Sequence, residues 1–295
     1  MKKFWCWLMV MMTMLSVFPM GALAAEVDAA QEEIVIDEQK GYWFYQTDNL
    51  TIEINRRKDH TPRIWYEVEV WASEEEPLTS YMAPAKKKAT KLVNPLSFAR
   101  ENHIVLAITD DFCGYRIRNK HTIGIVIRDG EVLGKKTRNS KRNRGWPNLD
   151  ALAVLEDGSM KALISDAYTA DEYLAMGARH VLSFGPMLVA EGELVDYVMS
   201  PKYYPYHEPR LAIGMIEPYH YMILAVEGRD EGSKGAKLDW MAEKMMALGC
   251  TEALNLDGGG TAALMFMGEV LNRSDKDMRS ISTLIGFGTS EQVPQ

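Results

Sequence analysis

Apolar and polar residues alternate with a period of two in several stretches of the chain. Ile64 to Trp71 shows the alternation most clearly, which is typical of a half-buried strand. Tyr42–Tyr45 and Leu50–Ile54 are separated by four polar residues and predict a hairpin. Asp-Gly pairs between apolar runs predict two more hairpins, with turns at Asp129-Gly130 and Asp157-Gly158. These patterns favour antiparallel β structure.

Continuous apolar runs and helical periodicity predict the remaining elements. Buried strands are expected at Ile104–Ile108, His180–Phe184, Leu211–Ile216, Tyr221–Val226 and Glu252–Leu256. Lys237–Leu248 is the clearest helix, because its apolar residues recur at helical spacing and Gly249 ends it. Short helices are expected over Pro95–Asn102 and over Glu172–Met176, the second after a capping box. The predicted fold class is α+β, a largely antiparallel mixed β-sheet core with a few packed helices, in a single domain over residues 41–290.

The first 24 residues have the pattern of a secretory signal peptide. Two lysines precede the apolar run Phe4–Met20, and Ala22-Leu-Ala24 is a small-residue cleavage site. An uncleaved anchor is the alternative, but the small-residue ending favours removal. We therefore expect a secreted protein with no stable membrane insertion after cleavage. Residues 25–40 are expected to be a flexible mature N-terminus, with order beginning near Gly41.

Net charge and cysteine content narrow the classes of function. The formal net charge is −8, and loss of the two lysines of the signal peptide makes it −10, so nucleic acid is not an expected partner. Cys113 and Cys250 would remain in an oxidising compartment, where they either pair or stay as two separately buried thiols. The cationic runs Lys86–Lys91 and Lys135–Arg144 are expected to be solvated surface. No cysteine or histidine cluster has zinc-ligand spacing, and neither a metal nor another cofactor is predicted.

Asp257 and the glycines that follow it form the most distinctive pattern in the chain. An apolar run ends in Asp257, then Gly258, Gly259 and Gly260 follow, and a second apolar run begins. Because glycine lacks Cβ, such a backbone can adopt positive φ and bring its N–H groups close to an anion. A Gly-rich hairpin turn is the simpler interpretation, and the local sequence alone favours it.

Charged residues also stand at the ends of other predicted strands. Asp110 and Asp111 follow one buried strand, where an Asx-type turn is the simpler explanation. Glu227-Gly-Arg229 follows another strand, and Arg210 opens the strand before it. The loop of residues 201–209 is rich in tyrosine and proline, which predicts either simple loop packing or a sugar-stacking or lid segment.

Six short motifs follow one another along the chain. They are Ser183-Phe-Gly-Pro-Met-Leu-Val189, Pro209-Arg210 before Ala212-Ile-Gly214, Glu227-Gly-Arg229, the helix ending at Leu248-Gly249, Asn255-Leu-Asp-Gly-Gly-Gly-Thr261, and Asn272 followed by Arg279-Ser280. In order and spacing the chain resembles the phosphodiester glycosidase family, from about Gly41 to Gly288. This family includes the catalytic domain of the uncovering enzyme, which removes N-acetylglucosamine from mannose 6-phosphate, and many secreted bacterial members.

The resemblance implies a secreted hydrolase that cleaves the glycosidic C–O bond of a sugar-1-phosphate diester. A GlcNAc-1-phosphodiester in a cell-envelope or exopolysaccharide glycan is the expected kind of phosphosugar or phosphoglycan substrate. Such a site needs cations for the phosphate and a carboxylate that activates water or stabilises an oxocarbenium-like centre. The candidate catalytic acids are Asp257, Glu227 and Asp111, and the strand ends that carry them must converge. The candidate substrate- and phosphate-binding residues are Arg210, Arg229, Arg279, Gly258, Gly259, Gly260, Thr261, Ser183 and Gly185. Each arginine has a surface or structural ion pair as its alternative role.

The chain departs from the pattern of the family in three places. Relatives usually have Asn-Gly-Asp-Tyr where this chain has Thr109-Asp110-Asp111-Phe112, so only the second acid clearly matches. They have Thr where this chain has Leu211, and Asp where it has Glu227. The competing hypothesis is therefore a non-catalytic phosphoglycan-binding envelope protein, and a third is a structural envelope protein. Hydrolysis and binding measured on the same diester separate the three.

Overall fold

Three antiparallel sheets organise the computed structural model, which describes residues 32–84, 91–137, 149–200, 202–272 and 278–295. The predicted signal peptide and most of the two cationic runs lie outside these ranges. None of the helices within them is long and apolar enough to cross a membrane.

The largest sheet has nine strands, numbered here in chain order. In spatial order they are β1 (Glu33–Asp37), β2 (Tyr42–Gln46), β3 (Thr51–Lys58), β4 (Ile64–Trp71), β15 (His220–Val226), β14 (Arg210–Glu217), β16 (Glu252–Asn255), β12 (Met187–Ala190) and β13 (Glu193–Leu194). Every pairing between them is antiparallel. We call it the central sheet.

Two five-stranded sheets accompany the central sheet. The first contains β10 (Met160–Leu163), β9 (Asp150–Leu155), β11 (Ala178–Phe184), β7 (Gly124–Arg128) and β8 (Glu131–Lys136). The second contains β18 (Glu269–Val270), β17 (Leu264–Phe266), β6 (Ile104–Thr109), β19 (Thr283–Thr289) and β5 (Thr79–Met82). All of their pairings are antiparallel as well.

Four short helices complete the described ranges. They are α1 (Pro95–Glu101), α2 (Cys113–Arg118), α3 (Ala170–Ala175) and α4 (Leu238–Ala247). The capping box at α3 is formed as predicted, with the Thr169 side chain accepting from Glu172 N–H and the Glu172 side chain accepting from Thr169 N–H. α4 buries Leu238, Met241 and Met245 against the central sheet, as its periodicity predicts. The α+β class in one domain is confirmed.

The alternating pattern decides which face of each strand is buried. Ile52 and Ile54 of β3 and Val68 and Val70 of β4 face one apolar core, which also receives side chains from both five-stranded sheets. Fully burying one such aliphatic side chain contributes roughly 1.5–3 kcal/mol, so this shared core holds the three sheets together.

Some predictions about the chain need correction. β1 pairs with β2 along its whole length, so ordered structure begins upstream of Gly41, within the segment predicted to be flexible. Lys135 and Lys136 are exposed, as expected for solvated surface, and they lie in β8. Cys113 and Cys250 are both buried and free, and they lie in different apolar clusters, so they are separate thiols.

Candidate functional site

Three strand ends meet at one end of the central sheet. β14 pairs with β15 so that Arg210, its first residue, lies opposite Val226, the last residue of β15. β16 pairs with the other side of β14, with Asn255 opposite Ala212, so the turn that begins at Asp257 follows beside Arg210. The register of three antiparallel strands therefore gathers motifs that lie far apart in sequence.

The connection between β11 and β12 lies against the same strand end. Gly185 N–H donates to the Asn255 carbonyl at 3.0 Å, and Asn255 N–H donates to the Pro186 carbonyl at 3.0 Å. The predicted Gly185 is thereby held next to the Asp257 turn.

These segments surround a cavity of about 360 Å³. It is lined by Leu149, Phe184, Gly185, Pro186, Tyr203, Tyr204, Glu208, Arg210, Arg229, Leu238, Asn255, Asp257, Gly258, Gly259 and Arg279. Seven of the predicted site residues are therefore brought together: Asp257, Arg210, Arg229, Arg279, Gly258, Gly259 and Gly185. Within the described ranges, no three acidic, histidine or cysteine side chains are grouped as metal ligands.

Asp257 presents its carboxylate to this cavity from an enclosed position. Its backbone N–H donates to the Asp110 carbonyl at 3.3 Å, and its Oδ2 atom is buried without a hydrogen-bond partner among the described residues. Burial raises the pKa of Asp257 above its ordinary value, while the Thr261 hydroxyl and the charges of Arg116 and Arg279 act in the opposite direction. The result is a buried carboxylate with the Thr261 hydroxyl and two cations nearby.

Arg210 is the most firmly fixed cation of the cavity. Its Nε donates to the Ala236 carbonyl and its Nη2 to the Tyr206 carbonyl, both at 3.1 Å, and its guanidinium lies 5.1 Å from the Tyr204 ring centre. Burial lowers the pKa of Arg210. No ion pair of Arg210 is found in the described part of the chain, so its charge remains available to an anion.

Arg229 and Arg279 are exposed at the cavity, and they differ in their partners. Arg229 is held by Glu208, whose Oε2 accepts from Nη2 at 2.6 Å and from Nε at 2.7 Å. The Arg279 backbone N–H donates to the Gly260 carbonyl at 3.1 Å, which fixes where its side chain begins. The cavity therefore carries three cations against two acids, an arrangement that suits an anionic ligand.

The triple-glycine turn is required by close packing on three sides. A Cβ on Gly258 would lie 2.7 Å from the Pro209 carbonyl oxygen, and one on Gly260 would lie 3.0 Å from Arg279 Nε. Gly259 has φ +58°, and its Cβ would lie 3.0 Å from Arg229 Nη2. The turn joins β16 of the central sheet to β17 of another sheet, so the hairpin interpretation is wrong. Gly259 N–H donates to the Pro209 carbonyl at 2.9 Å, so the predicted row of amides free for an anion is not formed at this glycine.

Gly259→Ala is expected to weaken phosphate binding more than its strain alone explains. The left-handed backbone costs a residue with a side chain about 1–2 kcal/mol, and the new methyl group also displaces the tip of Arg229. Gly192→Ala is the matched control, because Gly192 has φ +77° but no atom within 4 Å of a Cβ. Urea unfolding should show a similar loss of stability for both variants, whereas calorimetric titration with inorganic phosphate should show weaker binding for Gly259→Ala only. Equal phosphate affinity in the two variants would contradict a role for this contact.

Asp111 and Ser183 do not reach the cavity. Asp111 is fully buried, with Oδ1 at 2.8 Å from Arg128 Nη2 and Oδ2 accepting from Ser183 N–H at 2.9 Å. The Ser183 hydroxyl donates to the Ile125 carbonyl at 2.6 Å, and its own carbonyl accepts from Arg116 Nη2 at 2.6 Å. Both residues are thus parts of a buried network behind the site, and a substrate in the cavity meets neither.

Glu227 also faces away from the cavity. Its Oε1 lies 3.0 Å from the Tyr66 hydroxyl, which also contacts the Leu271 carbonyl at 2.7 Å. Burial raises the pKa of Glu227. Arg229 has φ +66°, so the backbone is not extended there, and the period-two alternation that would place residues 227 and 229 on the same side does not apply. The strand ends of the three predicted acids do converge, but only Asp257 turns its carboxylate into the cavity.

Gly260 and Thr261 lie just behind the cavity wall. Thr261 is buried and close enough to Asp257 to act on its carboxyl, and Gly260 backs the Arg279 side chain. They shape the turn rather than the cavity surface.

The other two departures from the family pattern lie outside the cavity as well. The Thr109 hydroxyl donates to the Thr261 carbonyl at 2.7 Å and accepts from Ala263 N–H at 3.0 Å, so it joins β6 to the glycine turn. Leu211 is buried in the shared core. Neither residue lines the cavity.

Several cavity residues were missed in the sequence. Glu208 directly precedes the Pro209-Arg210 motif, and Asn255 opens the motif that contains Asp257, so their positions beside motif residues were the available signal. Tyr203 and Tyr204 come from the aromatic loop, which places two rings at the cavity as the sugar-stacking interpretation requires. Leu149 and Phe184 carried no signal of chemistry.

Comparison with known proteins gives one family and two similar folds. The family model described as phosphodiester glycosidase matches residues 102–288 of this chain. In sequence, the chain is 29% identical over 198 residues to YomE, an uncharacterized SPbeta prophage-derived protein of Bacillus subtilis. That alignment covers 67% of this chain and 29% of the relative, so the chain spans less than a third of the relative's length.

Two solved structures have a similar fold at low sequence identity. The catalytic domain of zebrafish N-acetylglucosamine-1-phosphodiester alpha-N-acetylglucosaminidase, auto-inhibited by its pro-peptide, has a TM-score of 0.59 and 15% identity, covering 82% of this chain and 83% of that one. A hypothetical protein from Synechocystis has a TM-score of 0.56 and 16% identity, covering 89% of this chain and 64% of that one. At these identities the likeness concerns the fold.

Proposed function

We propose that this chain, which belongs to the phosphodiester glycosidase family, hydrolyses the glycosidic C–O bond of a sugar-1-phosphate diester. The observation that carries the proposal is the meeting of Asp257 with three arginines around one cavity. A GlcNAc-1-phosphodiester of a cell-envelope or exopolysaccharide glycan is the proposed substrate. The leader-like first 24 residues support action outside the cytoplasm.

The arginines bind the phosphate in this proposal. Arg210 offers a fixed charge with no ion-pair partner among the described residues, and a planar guanidinium fork matches two phosphate oxygens. Arg229 stays paired with Glu208 through Nη2 and Nε and offers Nη1 to the phosphate, and Arg279 approaches from the other side of the glycine turn. Because the phosphate leaves as a stabilised anion, strong general-acid assistance is not required.

Asp257 acts at the anomeric carbon in this proposal. An ionised carboxylate there either activates a water molecule or stabilises the positive charge that develops on the sugar. Asp111 and Glu227 take supporting roles, because their carboxylates are engaged by Arg128 and Tyr66. The rings of Tyr203 and Tyr204 supply apolar faces on which the sugar stacks.

Arg210→Ala tests whether Arg210 binds the phosphate of the substrate. Removing one preorganised donor from a site of developing charge costs roughly a hundred- to thousandfold in rate. We expect kcat/KM for a GlcNAc-1-phosphodiester to fall by that factor, and Arg210→Lys to recover part of it because the charge returns without the fork.

Arg179→Ala is the control for this test, because Arg179 pairs with Asp129 on the surface and does not line the cavity. Unchanged turnover in Arg210→Ala would refute the phosphate-binding role. If neither the unmodified protein nor any variant turned over this diester, the proposed hydrolysis of this substrate would be refuted.

One observation favours the alternative of a non-catalytic phosphoglycan-binding envelope protein. Glycosidases commonly use two carboxylates, whereas Glu208 is held by Arg229 and leaves Asp257 as the acid that can react. Tight binding of the diester without hydrolysis would support this alternative. If the protein neither bound nor hydrolysed the diester, the result would support a structural envelope protein.

A further inference from the structure

The Asn255 side chain has a fixed orientation in the cavity wall. Its Nδ2 donates to the Gly185 carbonyl and to the Leu256 carbonyl, each at 3.0 Å. Carbonyl oxygens only accept hydrogen bonds, so the amide cannot be turned over without losing both contacts. Oδ1 is therefore the amide atom that these two contacts leave unused.

This Oδ1 atom lacks a partner. Asn255 is 2% exposed and lines the cavity, and no described residue donates to its Oδ1. Two residues further along, Oδ2 of Asp257 is also buried without a partner among the described residues. An unsatisfied buried acceptor costs about 1–3 kcal/mol, so a pair of them at a cavity indicates that a ligand supplies the donors.

The chemistry of these two atoms selects the kind of ligand group. Both are acceptors, so they repel phosphate oxygens and favour hydroxyl or amide N–H groups. The positive charges of Arg116 and Arg279 already act on Asp257 and would repel a metal cation. A neutral hydrogen-bond donor meets no such repulsion. The phosphate-binding arginines and the two acceptors thus divide the cavity between an anionic group and a donor-bearing group.

We infer that Asn255 Oδ1, together with Asp257 Oδ2, accepts hydrogen bonds from the sugar of the substrate and makes Asn255 a specificity-determining residue. The donor is a ring hydroxyl or the 2-acetamido N–H of the sugar that carries the phosphate. This inference rests on the proposed function, since it assigns the sugar to the same cavity.

A series of sugar-1-phosphates, each lacking one donor, tests the inference on the unmodified protein. The probes are α-GlcNAc-1-phosphate and its analogues in which one of the 3-, 4- and 6-hydroxyls or the 2-acetamido group is replaced by hydrogen. Calorimetric titration should show that one analogue binds roughly 10- to 100-fold more weakly than the parent, as expected for a lost hydrogen bond to a buried acceptor.

Asn255→Ala should abolish this discrimination, so that the parent and the selected analogue bind alike. Asn272→Ala is the matched control: Asn272 is also a buried asparagine, but it bonds Leu264 N–H and the Ala262 carbonyl and does not line the cavity. Discrimination should persist in that variant. If Asn255→Ala fails to fold, Asn255→Ser serves instead: its hydroxyl can still donate to one of the two carbonyls but leaves no acceptor at the Oδ1 position, so the discrimination should again be lost.

Three results would overturn the inference: equal binding of all analogues by the unmodified protein, discrimination that survives in Asn255→Ala, or discrimination that survives in Asn255→Ser. Hydrolysis of the corresponding diester is measured in parallel. Discrimination without hydrolysis would support the inference and refute the proposed catalysis. Hydrolysis without discrimination would support the proposed catalysis and refute the inference. Absence of any sugar-1-phosphate binding would overturn both.

Discussion

Asp257→Asn is expected to lower kcat for a GlcNAc-1-phosphodiester by roughly a hundred- to ten-thousandfold, the contribution of a positioned acid or base. The amide has nearly the same shape as the carboxyl group but can neither accept a proton from water nor stabilise a developing positive charge. Asp257 is the cavity acid without an arginine holding it, so no neighbour within the described ranges replaces it. Steady-state hydrolysis at saturating substrate measures the effect.

The same variant is expected to remain folded. Burial raises the pKa of Asp257 in the native state, so at neutral pH ionisation of this group is less favourable in the folded protein than in the unfolded chain. Removing the charge removes that cost, and the melting temperature should be unchanged or higher. A fall in activity explained by unfolding would appear as a lower melting temperature, which separates the two causes.

The pH profile of the unmodified protein gives an independent check. If the ionised form of Asp257 reacts, kcat/KM falls as pH decreases through its pKa, and the midpoint lies above the ordinary value of 3.8. The residual activity of Asp257→Asn should not show this fall at low pH. Asp166→Asn is the control, because Asp166 is exposed and lines a different cavity beside α3. Full activity in Asp257→Asn would exclude the proposed role.

The local pattern of the sequence was sufficient for most elements of this fold. Period-two alternation located β4 to the residue, and the Asp-Gly turns located the hairpins β7–β8 and β9–β10, because these signals depend only on neighbours in sequence. α2 was missed, since Cys113–Arg118 is a short segment that begins after Phe112 in a left-handed conformation. β19 was missed too, although Thr283–Thr289 is almost entirely buried.

The candidate site was predictable in part, and the limit has a physical cause. Motifs located Arg210, Arg229 and Asp257, because each stands at a strand end that the register brings to the cavity. Sequence spacing does not say on which side of a strand end a side chain emerges, so it could not show that Glu227 bonds Tyr66 instead of lining the cavity. Nor does it identify a distant ion-pair partner, so the enclosure of Asp111 was invisible.

Asp111 belongs to a buried network of four charged residues, which are Asp110, Asp111, Arg116 and Arg128. Arg128 Nη2 lies 3.0 Å from Asp110 Oδ2 and 2.8 Å from Asp111 Oδ1, and Arg128 Nη1 donates to the Val181 carbonyl at 2.7 Å. Arg116 Nη2 joins the Asp111 and Ser183 carbonyls, each at 2.6 Å. We call these four charged residues the ionic core.

The ionic core supports two walls of the cavity. The Asp110 carbonyl accepts the Asp257 backbone N–H, and Asp111 Oδ2 accepts the N–H of Ser183, which leads into Gly185. A change inside the core is therefore felt at the candidate site without any contact with substrate. This explains how Asp111 can belong to a recurrent motif while lying outside the cavity.

Arg128→Met is expected to destabilise the protein by about 3–5 kcal/mol, because it leaves two buried carboxylates without their main counter-charge. Urea unfolding near pH 8 measures the loss. Arg57→Met is the matched control: Arg57 also pairs with a carboxylate, Glu67, but its side chain is half exposed, and its loss should cost less than about 1 kcal/mol.

The loss caused by Arg128→Met is also expected to shrink as pH falls. In the unmodified protein Arg128 lowers the pKa of Asp111 against the effect of burial, so this carboxylate stabilises the fold above its unfolded pKa and loses that contribution as pH falls through the folded value. Without Arg128, burial and mutual repulsion raise the pKa values of both acids, so they bind protons near pH 5 and the buried charge disappears. The two proteins should therefore differ less in stability near pH 5 than near pH 8. A difference that is the same at both values would mean that Arg128 acts through packing alone rather than as the counter-charge of the ionic core.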